Sequence, residues 1–293
     1  MKVHFGSEKA GGVPSPVVTI GSFDGVHAGH RVILSRLKAI ADRVGGETML
    51  VTFHPHPRKV LYPDSDGKDL KLITTLEEKC ILLEEAGLDH LVILEFTRSF
   101  ARTTSAEFVE QVLAGALGAH TIVVGFNHFF GHNKQGSYQS LYWDRKRFGY
   151  QVEEIPEQEI QHETVSSSRI RKALMEGHIQ RANAYLESHF MIRGMMDRIH
   201  LPGTEGRFGY RLEVSDPDKL IPPPGAYAGS FQTVSGVQKG LVLITEDGIE
   251  LFPVIQEFGP GEGEQTIHFY KQIEPAEPFL PDKALETVKE LVY

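Results

Sequence analysis

From residue 17 to about residue 186, short apolar runs alternate with amphipathic stretches, the pattern of a mostly parallel sheet covered by helices. The runs Val17–Ile20, Thr48–Phe53, His90–Leu94, Thr121–Val124 and Gln151–Ile155 are the predicted strands. After the first of them, Ile33, Leu37, Ile40 and Val44 recur at helical spacing. The stretch TTLEEKCILLEEAG predicts a further helix, with Thr75 as N-cap, Glu78 closing a capping box and Gly87 as the stop. Leu76, Cys80 and Leu83 share its apolar face. Ser105 is the expected cap of a third helix, whose Phe108, Val109, Val112 and Ala116 face the sheet.

The texture changes after Leu186. Met191 to Phe279 is rich in Gly and Pro, with short alternating runs such as Gly240–Ile244 and Thr266–Tyr270, which predicts a small antiparallel β-barrel. The expected organisation is therefore two domains, 1–186 and 187–293, with a last helix from about Pro281 to Leu291. Pro222–Pro224 and Gly259–Gly263 read as loops.

Composition narrows the picture. With 293 residues, 41% hydrophobic and 24% charged, the chain can bury two cores of ordinary size. The lone Cys80 excludes an intramolecular disulfide and fits both a core position and a reducing compartment. The N-terminus lacks the apolar stretch of a signal peptide, and no segment is long and apolar enough to span a bilayer, so a cytoplasmic protein is expected. A net charge of −9 argues against nonspecific nucleic-acid binding. It leaves room for a phosphorylated substrate, which needs only local positive potential.

That potential is expected at GSFDGVHAGH, Gly21 to His30, directly after the first strand. The chain turns on glycines and enters a helix, where His27 and His30 stand three residues apart and can converge on one ligand. Free N–H groups and the helix dipole favour an anion there, and Gly25 and Gly29 let it approach the backbone. Two imidazoles at a phosphate-binding helix start suit nucleotidyl transfer. A second loop, TFHPHPR at Thr52 to Arg58, is stiffened by two prolines at a strand's C-terminal end, where open α/β sheets bind ligands. Its His54 and His56 also have metal-ligand spacing, without a cysteine or acidic partner nearby. GFNHFFGHNKQG, Gly125 to Gly136, either admits a ring system to its backbone or packs Phe129 and Phe130 into the core, and both can hold. In VSSSRIR, Val165 to Arg171, the serines open a helix and Arg171 follows Ser168 on the same face, as a plain capped helix or as phosphate ligands.

Together these segments resemble the bacterial FAD synthetase family, the bifunctional riboflavin kinase/FMN adenylyltransferases, whose first domain carries G-x-F-D-G-V-H-x-G-H. The resemblance implies a Rossmann-like HxGH nucleotidyltransferase domain followed by a barrel of riboflavin kinase type. It implies AMP transfer from ATP to FMN, giving FAD and pyrophosphate, with Mg²⁺ held mainly by phosphates and no protein metal ligands assigned. His27, His30 and Arg171 would be catalytic, while Gly21, Phe23, Asp24, Gly29, Ser167 and Ser168 would hold the nucleotide. Pro55, His56, Pro57, Arg58 and Asn127 would line the flavin. No nucleic-acid or membrane partner is implied.

The second half departs from the family. Where the kinase has G-R-x-x-G-[FY]-P-T-A-N, this chain has Gly206-Arg207-Phe208-Gly209-Tyr210 followed by Arg211-Leu212-Glu213-Val214. Leu212 and Val214 cannot supply the oxygen donors of a hard cation. The framework persists in Gly194 and Pro224-Gly225-Ala226-Tyr227, while Glu250 is a poor match for the kinase's catalytic glutamate. A degenerate, inactive kinase module is expected; a bifunctional enzyme and a non-catalytic flavin or nucleotide sensor are the alternatives.

Overall fold

The computed structural model describes residues 1–126, 128–157, 159–160, 163–200, 208–233, 236–255 and 263–274. They form two compact units: Met1–Leu70 with Lys79–Val165, and Lys71–Glu78 with the described residues from Ser166 onward.

The first unit is built on six strands, β1 (Lys2–Phe5), β2 (Val17–Ile20), β3 (Thr48–His54), β4 (His90–Glu95), β5 (Thr121–Gly125) and β6 (Gln151–Ile155). They lie in the order β1-β4-β3-β2-β5-β6, each pair parallel. Helices cover both faces, so β2 is buried at every position. On one face Val18, Ile20, Met49 and Val92 pack with Phe108, Val109 and Leu113. On the other, Val17 and Val123 meet Leu37, Ile40 and Ala41 of α1 (Ala28–Val44). The chain departs from β2 in both directions, to β3 and to β5, and a sheet of this kind binds ligands beyond its strand ends at that reversal. The edge strand β1 is absent from the sequence expectation because it is short and mostly exposed.

The unit also contains α2 (Pro57–Leu61), part of α3 (Leu76–Glu85), α4 (Ser105–Phe108), α5 (Tyr138–Phe148) and a hairpin of β7 (Glu159–Ile160) with β8 (Glu163–Thr164). Thr104, not Ser105, caps α4, in a capping box with Glu107. Beyond Phe108 the helix widens to a π-helix over Val109–Ala116. The wider turn rotates the buried face, so Leu113 and Leu117 are buried in place of Val112 and Ala116.

In the second unit α6 (Ser167–Met175) and α7 (Ile179–Leu186) precede six strands: β9 (Phe190–His200), β10 (Phe208–Glu213), β11 (Gly225–Thr233), β12 (Gly236–Thr245), β13 (Gly248–Pro253) and β14 (Gly263–Glu274). These close into an antiparallel barrel in the order β10-β13-β12-β11-β14-β9. Both helices group with the barrel, so the units meet at Val165–Ser166 while the sequence texture changes only after Leu186. Asn183 on α7 shows why: its Nδ2 donates to Phe269 O at 2.8 Å and its Oδ1 accepts from Phe190 N at 2.8 Å. Residues 71–78 join the barrel through Lys219. Its Nζ donates to Ile73 O (2.7 Å), Met191 O (2.6 Å) and Glu78 Oε2 (2.5 Å), with both side chains fully buried. The Thr75–Glu78 capping box is present at 3.0 and 3.2 Å. The expected helix at 281–291, Gly206, Arg207 and residues 259–262 lie outside the described residues. No helix among the described residues is long and apolar enough to cross a membrane.

Candidate active site

Between β2 and α1 the backbone is held in left-handed conformations at Phe23 (φ 46°), Gly25 (φ 90°) and Val26 (φ 43°). For the two side-chain-bearing residues this costs about 1–3 kcal/mol each, a strain that persists where the surroundings enforce it. Here burial enforces it, because Phe23 and Val26 are both in the core. The turn presents Phe23 to His30, whose rings stack at 4.2 Å, and His30 stacks in turn on His27 at 3.7 Å. His27 is not within the helix as the spacing predicts. It is the N-cap, with extended backbone (ψ 174°), and stacking rather than a shared helix face brings the imidazoles together. The motif glycines make room for this column. A Cβ on Gly29 would stand 3.3 Å from His27 Cε1, and one on Gly21 would stand 3.0 Å from the Phe23 ring.

Burial holds the His30 pKa well below the usual imidazole range, and positive potential from His27 and Lys79 adds to it. His30 is thus a neutral imidazole at pH 7. Its buried Nδ1 has no hydrogen-bond partner among the described residues; the same is true of Thr19 Oγ1 on β2 and His128 Nε2 after β5. Because β2 and β5 are neighbours, these unsatisfied groups belong to adjoining segments. At the start of the Gly125 loop a Cβ would lie 3.2 Å from Ile33 Cδ1, one turn of α1 beyond His30. Orphaned buried polar groups are rare in native proteins, and several on adjoining segments mark a place where a ligand completes the bonding.

The His128 pKa is pushed down to about 4 by burial. A depressed folded-state pKa means stability that is full above about pH 6.5 and is lost as pH falls through about 4. His30 shifts in the same direction. Acidification from pH 7 to pH 4 should therefore lower stability by about 3 kcal/mol on account of His128, and His128→Phe should flatten that part of a pH series of denaturant unfolding curves.

Other predicted residues take local roles. The His54–Pro55 peptide bond is cis. His56 caps α2, its Nδ1 accepting from Arg58 N at 3.2 Å, with Pro57 in the first turn. Arg58 pairs with Asp66 at 3.7 Å. Among the described residues no group of three or more His, Cys, Asp or Glu could hold a metal ion. In the Gly125–Gly136 loop, Phe130 is buried and bridged to Gly136, whereas Phe126 and Phe129 are about half exposed, so core packing and an open aromatic surface are both present. Asn127 lies outside the described residues. Ser167, Ser168 and Arg171 are on α6 in the second unit, where Ser166 is the cap, accepting from Arg169 N at 3.5 Å.

Sequence reasoning missed Lys79. It is buried (7% exposed) and interacts electrostatically with Asp24 (2% exposed) and with His30. The available signal was a lysine in register with the apolar Leu76 and Leu83 of its helix.

A parallel α/β unit with a histidine-bearing turn at its sheet reversal, joined to a closed six-stranded barrel, defines an HxGH-type nucleotidyltransferase with an accessory β-domain. The model of the family described as FAD synthetase matches residues 13–169. A bifunctional riboflavin kinase/FMN adenylyltransferase of Bacillus subtilis is 32% identical over 78% of this chain and 71% of its own length. An FAD synthetase of Listeria monocytogenes is 31% identical over 88% of this chain and 92% of its own. A crystal structure described as a macrolide-efflux protein from Streptococcus pneumoniae superposes with a TM-score of 0.82 over 99% of this chain and 97% of that one; at 22% identity it shows the fold alone. The chain belongs to the FAD synthetase family.

Proposed function

We propose that this protein is an FMN adenylyltransferase: an FMN phosphate oxygen attacks the α-phosphorus of ATP, pyrophosphate leaves, and FAD is formed. The observation that carries this reading is the stacked His27–His30 pair, with His30 neutral, at the start of α1 beside the sheet reversal. A neutral imidazole donates one hydrogen bond to a phosphate oxygen through its N–H, and oriented donors are worth most where charge develops in the transition state. No enzyme nucleophile is required, because the substrate phosphate is one, so the residues act by alignment and charge stabilisation. Gly21, Phe23, Asp24 and Gly29 shape the nucleotide side, Ser167, Ser168 and Arg171 bind its phosphates, and Pro55, His56, Pro57, Arg58 and Asn127 the flavin side. Mg²⁺ enters with ATP, carried by the phosphates.

The barrel is proposed to have lost the kinase activity. Leu212 and Val214, at the positions that resemble the kinase's Thr and Asn, line a cavity of about 450 Å³ together with Asp197, Glu213, Thr245 and Asp247, so oxygen-bearing residues are present in the lining but the two motif positions themselves offer no donor. Glu250 sits between buried Ile249 and Leu251, which turns it outward, and it accepts from Arg211 at 2.9 Å. The Listeria relative named FAD synthetase alone aligns across most of the chain. The names of other relatives favour a bifunctional enzyme as the second reading. Incubation of the full chain with ATP and Mg²⁺ decides between them by chromatography of the flavins. FMN should be converted to FAD, and riboflavin should give no FMN above background. FMN from riboflavin would overturn the loss of the kinase; no FAD from FMN would overturn the principal reading and leave a sensor.

A further inference from the structure

At the edge of the parallel sheet two more histidines stand in a hydrogen-bonded row. His4 on β1 has Nδ1 at 3.1 Å from Lys9 O and Nε2 at 2.9 Å from Nδ1 of His90, the first residue of β4. His90 is buried, and its Nε2 lies 2.5 Å from Glu47 Oε2. The ring centroids are 5.2 Å apart and the planes 18° from parallel. With 2.9 Å between the nitrogens, that separation means that the rings meet edge to edge, along the line of the lone pair. Both ends of the row are acceptors, a backbone carbonyl and a carboxylate. Three hydrogen bonds in series therefore need three protons, whereas two neutral imidazoles beside a carboxylate carry two. With two protons acceptor faces acceptor at one of the gaps; with four, donor faces donor.

We infer that His4, His90 and Glu47 form a proton-dependent latch that docks β1 on β4, complete only when the three side chains share three protons. β1 has little to bury, so beyond its ladder to β4, including Lys2 N to Asp89 O (2.8 Å) and Gly6 N to Ile93 O (3.0 Å), the histidine row is what ties it down. The other charged groups around the row are few. Asp89 accepts from Thr48 N and Oγ1 at 2.9 and 2.8 Å and interacts electrostatically with His90 and with Lys38 of α1. β1 brings Lys2, in register with His90, and the terminal ammonium, which pairs with Glu84 of α3 at 3.0 Å. β3 brings the apolar Met49 in register, and the turn Ser7–Lys9 brings Glu8 and Lys9. The latch lies where β4 begins, and in a parallel sheet that is the opposite end from the turn with His27 and His30. It is independent of the reaction proposed for that turn.

The test is hydrogen exchange of the full chain, read by mass spectrometry on the peptide that carries β1 and corrected for the intrinsic pH dependence of exchange. An imidazole in water titrates near pH 6.5, where two undocked rings hold three protons on average, as many as the latch. Above that pH the docked row holds more protons than the undocked rings, and below it fewer, so docking weakens in both directions. Protection of β1 should peak near pH 6.5 and be about 5- to 10-fold lower at about pH 5 and about pH 8. His4→Phe keeps a ring on the strand and should lower the peak to a protection that no longer varies with pH. A wild-type profile without a maximum, or a His4→Phe chain with the wild-type profile, would overturn the latch. Should the phenylalanine variant leave β1 undocked at every pH, nitrogen NMR of the histidine-labelled wild-type chain near pH 6.5 decides instead. A proton shared between His4 Nε2 and His90 Nδ1 supports the inference; two neutral rings refute it.

Discussion

His30→Ala is expected to lower the turnover number for FAD formation by about 10²-fold or more, the cost of removing one oriented donor from a site of developing charge. The ring is the centre of a column, with Phe23 on one side at 4.2 Å and His27 on the other at 3.7 Å, so its orientation is set before substrate arrives. Burial keeps it neutral, so the ring has a single N–H to donate. The apparent affinity for FMN should change much less, since the role proposed for the histidine is at the α-phosphate of ATP. Steady-state rates with FMN varied at saturating MgATP separate the two quantities. Because the alanine also removes two ring contacts, thermal unfolding of the variant must accompany the kinetics. A folded variant with wild-type turnover would exclude His30 from the chemistry.

The largest stability effect should come from Lys219→Met. The methionine keeps most of the side-chain volume and removes the ammonium, leaving Glu78 buried with hydrogen bonds from Thr75 N (3.0 Å) and Arg193 N (2.9 Å) but no counter-charge. Stranding one partner of a fully buried pair typically costs about 3–5 kcal/mol. Two backbone carbonyls, Ile73 O and Met191 O, lose their donor at the same time. Calorimetric unfolding should show the loss in the transition of the barrel unit. Adding Glu78→Leu to Lys219→Met should recover a substantial part of it, because a neutral pair no longer buries an uncompensated charge. A single-variant loss below about 1 kcal/mol would mean that water or rearrangement already satisfies Glu78.

The distribution of these residues explains what could be read from the chain. Strands β2 to β5 were legible as short continuous apolar runs, because helices cover both faces of the parallel sheet, and helix α1 as apolar positions three to four apart. The turn from Gly21 to His30 was legible for the same reason, as all its parts are close in sequence. The π-helix at Val109–Ala116 was not, since periodicity presumes a regular turn. Nor was the exposed edge strand β1, which has little to bury.

By itself, then, the sequence determined the parallel α/β unit, the barrel after it, the glycine turn with its two histidines, and the apolar replacements at Leu212 and Val214. Only the tertiary structure decided that His27 caps the helix and meets His30 by stacking, that Lys79 stands by Asp24 and His30, and that Glu78 is a buried ion-pair partner as well as half of a capping box. Glu78 and Lys219 are 141 residues apart, and Asp24 and Lys79 lie on different elements of the sheet unit. Local pattern carries hydrophobic burial because burial is non-directional and repeats with the backbone. A polar group's state is set by the few atoms that face it in space, and no local spacing records which atoms those are.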